Sequence, residues 1–271
     1  MLNALGIDIE EWYHIAGTKY PAGLSDTLES RIVKNTERVL DFLQVMQTQA
    51  TFFVLGVIAE RYPGLVRRMD AQGHEVASHG YQFLEVFKHT PESFREDIRK
   101  SMDILSALTN KPVLGYRAPN FSIVKNCLWA LGILEEVGIK YDSSIYPVLH
   151  PRYGIPNAPR VQYHVRQELI EFPPSTVRFL GDNYPVAGGL YLRLLSIQQT
   201  KKAIDQLNSQ NIAVNAYIRC WEMDEESPKP KVPWSYRFFR SLYLDRTQDR
   251  LEKLLTELQF VPLSQIVLSK K

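Results

Sequence analysis

Short runs of β-type residues alternate with segments of helical period along most of the chain, the pattern of repeated βα units around a largely parallel sheet or barrel. Residues 4–9, 50–55, 75–78, 113–116, 139–141, 212–218 and 260–263 read as strands. Between them apolar residues recur at helical spacing. Leu28, Ile32, Val39, Leu43 and Met46 mark a helix over 27–47 with Asp26 as candidate N-cap, and Pro63 opens a shorter one that Gly73 ends. Thr90-Pro91-Glu92-Ser93 begins another, whose buried face is Phe94, Ile98, Met102, Leu105 and Leu108. Further helices are expected over 126–137, 196–207 and 243–258. The rhythm fails between His150 and Gly189, where Pro151, Pro156, Pro159, Pro173, Pro174 and Pro185 predict a Pro-rich irregular insertion over about 147–190. One continuous pattern of βα units predicts an α/β fold with a single barrel-like domain spanning 1–271.

Composition changes this picture little. At 45% hydrophobic and 23% charged residues the chain can bury a core large enough to fold. Thirty-two Lys+Arg against thirty Asp+Glu leave a formal charge of +2, too little to hold a polyanion, so no nucleic-acid partner is expected. Cys127 and Cys220 form no disulfide framework or zinc-knuckle spacing and are expected reduced in the interior. No window approaches ~18 uninterrupted apolar residues, so no transmembrane segment is expected. The first residues run straight into Ile7-Asp8-Ile9-Glu10 with no basic or long apolar leader. A cytoplasmic location follows as an expectation, beside a membrane-bound pathway that the protein serves. Asp224-Glu225-Glu226 and Lys229-Pro230-Lys231 read as a solvated loop.

In a parallel barrel, reactive groups gather at the C-terminal ends of the strands. The first strand ends in Asp8, Glu10 and Glu11; alternation puts Asp8 and Glu10 on one face and turns Glu11 away unless the strand has already ended. Two such carboxylates can divide labour between binding a cation and taking a proton, or can be ordinary rim charges. The third strand ends in His79, in phase with Glu75, whereas His74 is out of phase; a lone strand-end histidine is often a structural residue. Later strand ends supply Arg117, Asp142 and Arg219.

Taken in order, Ile7-Asp8-Ile9-Glu10-Glu11-Trp12-Tyr13-His14, Thr51-Phe52-Phe53-Val54-Leu55-Gly56, Gly73-His74-Glu75-Val76-Ala77-Ser78-His79-Gly80-Tyr81, Gly115-Tyr116-Arg117-Ala118-Pro119 and Tyr141-Asp142-Ser143-Ser144 resemble the polysaccharide deacetylase family. The likeness continues through Arg152-Tyr153-Gly154-Ile155-Pro156 and Glu171-Phe172-Pro173-Pro174 to Trp221-Glu222, and is nearest the branch found with bacterial exopolysaccharide biosynthesis. The resemblance implies a distorted (β/α)7 barrel and metal-dependent removal of N-acetyl groups from an oligo- or polysaccharide. It implies Asp8 as base, Glu10 and His79 as ligands of zinc or a similar divalent ion, Arg117 as the residue that orients the base, and Asp142 in its partner network. Glu11 and His14 are the reserve ligands. Tyr81, Phe83, Pro119 and Trp221 are the expected substrate contacts.

Two positions depart from the family pattern. Phe83 stands where the family has its second histidine ligand, and Arg219 where it has the late-strand catalytic histidine. Catalytic zinc normally has three protein ligands, and arginine, with a pKa above ~12, is no general acid near neutral pH. His14 and His89 are candidates to complete the ligand set. Arg219 could instead place its fixed charge where the cation would sit and pair with Asp8 or Glu10. Three readings follow: a metal-dependent deacetylase with a rearranged ligand set, a catalytically degenerate barrel that binds a glycan or a biosynthetic partner, and a structural barrel whose polar strand ends do not converge.

Overall fold

Alternation along the strands sorts the chain into an inside and an outside. The computed structural model describes residues 1–14, 28–150, 152–228 and 234–269; Asp26, Thr27, Pro151 and Lys229-Pro230-Lys231 lie outside these. Strand β1 (Leu2–Ile9) is central, followed by β2 (Thr51–Val54), β3 (Glu75–Ser78), β4 (Gly115–Tyr116), β5 (Tyr141–Asp142), β6 (Tyr163–His164), β7 (Ile170–Glu171), β8 (Thr176–Phe179), β9 (Asp182–Pro185), β10 (Asn215–Arg219) and β11 (Gln259–Val261). The main sheet runs β10-β1-β2-β3-β4-β5-β7-β6, and every pairing from β10 to β7 is parallel. Seven parallel strands thus curl into the expected distorted barrel.

Two features differ from the sequence reading. The seventh wall strand is β7, inside the stretch read as irregular, because a two-residue strand between prolines carries no periodic signal. The run near Phe260 forms β11, which pairs only with the start of β1. The wall does not close by a ladder. Its gap is spanned at Asn215, whose carbonyl accepts from Ser175 N (3.1 Å) and whose Nδ2 donates to Phe172 O (2.8 Å).

Leu5, Ile7 and Ile9 of β1, with Phe52, Val54 and Val76, pack outward against the helices in one large core. These helices are α1 (Ile32–Val45), α2 (Gly56–Arg61), α3 (Pro63–Ala71), α4 (Pro91–Ser106), α5 (Trp129–Glu136), α6 (Gly189–Leu194), α7 (Ile197–Ser209), α8 (Trp234–Ser241), α9 (Arg246–Glu257) and α10 (Leu263–Val267). Thr90 caps α4 in a reciprocal box with Ser93, as its sequence predicts. Helix α1 starts later than its apolar spacing suggests, because Glu11 reaches over to accept hydrogen bonds from Ser30 Oγ and Arg31 N at its N-terminus. Asp224 is not solvated: it is buried and ion-paired to Arg31 Nη1 at 2.9 Å. Cys127 and Cys220 are both buried and free. Among the described residues, no helix is long and apolar enough to cross a membrane.

The alternate residues face the barrel interior. Ala4, Phe53, Ala77, Tyr141 and Phe172 fill its lower half, and α10 plugs the bottom with Leu263 and Val267. Above them lies a charged side chain, Arg117, with no exposed surface, stacked on Phe53 with its guanidinium carbon 4.1 Å from the ring centre. Gly6 makes this arrangement fit, since a Cβ there would stand 2.7 Å from Arg117 Nη1. The guanidinium is held by several hydrogen bonds and has little room to yield. Gly6→Ala is therefore expected to lower stability by about 1–3 kcal/mol, the usual cost of overpacking a filled interior, read as a lower urea midpoint with an unchanged slope.

Candidate active site

The β1 parity that buries Ala4 and Gly6 brings Asp8 and Glu10 to the barrel mouth. Asp8 is the register partner of Arg219 on β10, so both side chains rise from the same inner face. Arg117, one residue past β4, donates from Nη1 to Asp8 Oδ1 at 2.8 Å; the pair is essentially dry. Ser143 fixes the far side of the guanidinium by accepting Arg117 Nε at its carbonyl (3.3 Å) and Nη2 at its hydroxyl (2.9 Å). The chain leaves Arg117 through Asn120 and Phe121, both in the left-handed region at φ 56° and 52°. Phe seldom adopts that conformation, so this turn is a strained segment held by its surroundings beside the cleft.

Glu10 is 2% exposed and sits between two cationic or aromatic donors and an imidazole. Arg219 Nε lies 2.8 Å from Glu10 Oε1, and Trp221 Nε1 donates to the same oxygen at 3.2 Å. Burial would raise this carboxyl, but the Arg219 guanidinium overrides it and holds Glu10 at about 2. His79 Nδ1 lies 2.6 Å from the carbonyl oxygen of Arg117. A carbonyl only accepts, so Nδ1 carries the proton and the lone pair of the neutral ring is on Nε2. That nitrogen is buried without a hydrogen-bond partner, 3.8 Å from Glu10 Oε2.

Asp8, Glu10, His79, Arg117 and Arg219 therefore converge, which excludes the reading in which the polar strand ends scatter. Other expected residues fall elsewhere. Glu11 points away to α1, as its parity suggests, and is not at the mouth. His89 faces Ser93 Oγ at the start of α4 (3.2 Å). Tyr81 is on the outer surface, donating to Glu60 Oε2 (2.8 Å) with the Lys100 ammonium over its ring, because the chain turns outward after Gly80. Pro119 is buried within its turn. Phe83 does not line the cleft; it stacks on His14, ring centres 4.4 Å apart. Of the four aromatic or proline contacts expected, Trp221 alone lines the cleft of about 370 Å3, together with Glu10, His14, Asn120, Tyr153 and Arg219.

Asp142 does not touch Arg117. It accepts from Ser144 Oγ and shares a hydrogen bond with Glu171, its register partner on β7. Burial raises both carboxyls, Glu171 the further, so Glu171 is the neutral member and Asp142 is held at about 6. The sequence reading named Asp142 and missed Glu171, Ser143, Asn215 and Glu222. Asn215 was within reach of the parity argument, being four residues before Arg219 on one strand face. Glu222 accepts Arg219 N (2.9 Å) and binds Arg193 Nη2 (2.8 Å) in a second buried ion pair.

The donor set is a poor fit for a divalent metal. One oxygen of Glu10 already serves Arg219 and Trp221. His14 Nδ1 accepts from Glu11 N at 3.1 Å, which puts the ring proton on Nε2, and burial lowers its pKa to about 4. Among the described residues, no group of three His, Cys, Asp or Glu side chains is placed to hold a metal ion.

The curled sheet of seven parallel strands thus carries an Arg-anchored carboxylate and a buried histidine at its mouth. Residues 24–141 match the polysaccharide deacetylase family model, and residues 143–268 match a domain of unknown function. Over 96 residues, 35% of the chain, it is 34% identical to a peptidoglycan-N-acetylglucosamine deacetylase of Bacillus cereus, covering 35% of that protein. A chitooligosaccharide deacetylase of a Bradyrhizobium strain is 29% identical over 55% of the chain and 65% of its own length. The matched stretches thus span less than two thirds of either relative. The crystal structure of a probable polysaccharide deacetylase from Pseudomonas aeruginosa PAO1 superposes with a TM-score of 0.67 at 16% identity, covering 98% of this chain and 89% of that one, a likeness of fold.

Two outcomes test this geometry. Arg117→Met leaves Asp8 as an uncompensated buried charge and is expected to cost about 3–5 kcal/mol, read by urea denaturation; adding Asp8→Asn should recover part of the loss. Asp142 titrates near 6 folded against an ordinary 3.8. The folded state therefore binds the extra proton between those values, and this group's contribution, full at low pH, is lost as pH rises through about 6. Asp142→Asn should flatten the fall in urea midpoint between pH 4 and 7.

Proposed function

We propose that this protein is a polysaccharide deacetylase-like hydrolase that removes N-acetyl groups from a bacterial surface polysaccharide or exopolysaccharide, or from its precursor. The observation that carries the reading is the Asp8–Arg117 pair at the barrel mouth. Arg117 takes Asp8 Oδ1 and keeps the carboxylate charged and oriented, leaving Oδ2 to accept a proton from a nucleophilic water. The Arg219 guanidinium one strand away is a fixed donor for the amide carbonyl oxygen, where negative charge develops during attack. Trp221 and Tyr153 add aromatic surface to the lining of the cleft, with the Arg240 guanidinium over the Trp221 ring and His150 stacked on Tyr153. The names of the matched relatives, which include peptidoglycan and chitooligosaccharide deacetylases, support the substrate class. The motif series that runs to Trp221-Glu222 supports the exopolysaccharide branch.

A second reading, glycan binding without hydrolysis, rests on Phe83 and Arg219 at the two departing positions. Acetate release from N-acetylated chitooligosaccharides and peptidoglycan fragments separates them. Hydrolysis that falls by ~100-fold or more in Asp8→Asn, with glycan binding retained, is the expected result. Saturable glycan binding with no acetate released would overturn the hydrolase reading in favour of the second.

A further inference from the structure

We propose that the guanidinium of Arg219 is the resident cation of this cleft, so that the protein acts with no divalent metal between Glu10 and His79. The inference rests on the family reading for where a metal would sit, and not on whether the chain hydrolyses its glycan. Glu10 Oε1 faces both Arg219 Nε at 2.8 Å and the Trp221 indole at 3.2 Å, which uses its acceptor capacity. Among the described residues, the Glu10–His79 pair then offers Glu10 Oε2 and the unpartnered His79 Nε2, one short of a zinc site's usual protein ligands.

The guanidinium is built into this place. Asp8 and Arg219 are register partners, and Glu222 accepts the Arg219 backbone N–H as the strand turns. Gly188 and Gly189 clear the space behind: a Cβ on Gly188 would lie 2.1 Å from the Tyr217 ring, and one on Gly189 3.4 Å from Arg219 Nη1. A divalent ion entering beside Glu10 would meet this fixed positive charge at close range, with one carboxylate already neutralised. A guanidinium differs from a metal in what it can do. It donates hydrogen bonds to a carbonyl or carboxylate oxygen, but it does not ionise a bound water, so any proton removal falls to Asp8.

The decisive variants separate a blocked site from one that simply lacks a ligand. Chelator-treated wild-type protein, Phe83→His, Arg219→Gln and the Phe83→His/Arg219→Gln double variant are titrated calorimetrically with zinc, and with cobalt followed by its visible absorption. Each is checked for folding by its urea midpoint. Wild type should show no stoichiometric binding, and Phe83→His alone should gain little, because the guanidinium is still in place. The double variant should bind one equivalent at least ~100-fold more tightly than Phe83→His. One tight equivalent in wild type, or Phe83→His binding as well as the double variant, would overturn the proposal. If the double variant does not fold, the wild-type titration still decides.

Acetate release measured with chelator and with added zinc keeps this test apart from that of function. Release in chelator supports the internal cation, and release only with zinc overturns it. Absence of release under both conditions removes the hydrolase reading and leaves the titration to judge the cation.

Discussion

The interior of this barrel is organised around one buried ion pair, Arg117 with Asp8. A guanidinium with no exposed surface in a protein interior is stable only if its charge and its donors are met on the spot. Asp8 supplies the charge, Ser143 supplies two acceptors, Asn215 Oδ1 lies 3.4 Å from Nη2, and Phe53 provides a flat face. These groups come from β1, β2, β10 and the segment after β5. Satisfying one side chain therefore ties together strands far apart in sequence, including the two sides of the unpaired gap where Asn215 also binds Phe172 and Ser143. The charge, once placed, also fixes the direction of the Asp8 carboxylate at the mouth.

Above that pair the cleft is made of matched charges: Arg219 with Glu10, Arg193 with Glu222. Glu222 links the two, because its second oxygen accepts the Arg219 backbone N–H. Such a network is stiff, since breaking any member leaves a desolvated charge, and it presents a ligand with donors set in advance rather than recruited on binding. His79 adds the complementary element, an acceptor lone pair with no partner of its own.

The sequence by itself determined the βα rhythm, the inner and outer faces of the strands, and the residues that could reach the mouth. Strand alternation is local stereochemistry, so Asp8 with Glu10, and His79 with Glu75, could be paired without knowing what lay opposite. The same argument turned Glu11 away, and local capping chemistry gave α4 its start at Thr90-Pro91. Phe83 and Arg219 were legible as departures because the residue type alone excludes ligation by Phe and acid catalysis by Arg. Only the tertiary structure decided which partners these residues take. Residues 170–171 form a wall strand because β5 offers them an edge, Glu171 keeps its proton because Asp142 is its register partner, and Arg219 meets Glu10 because β10 lies beside β1. Tyr81 left the cleft because the chain turns after Gly80. Each of these outcomes depends on contacts between segments distant in the chain, where a side chain's charge, burial and hydrogen bonds are set by neighbours that no local pattern contains.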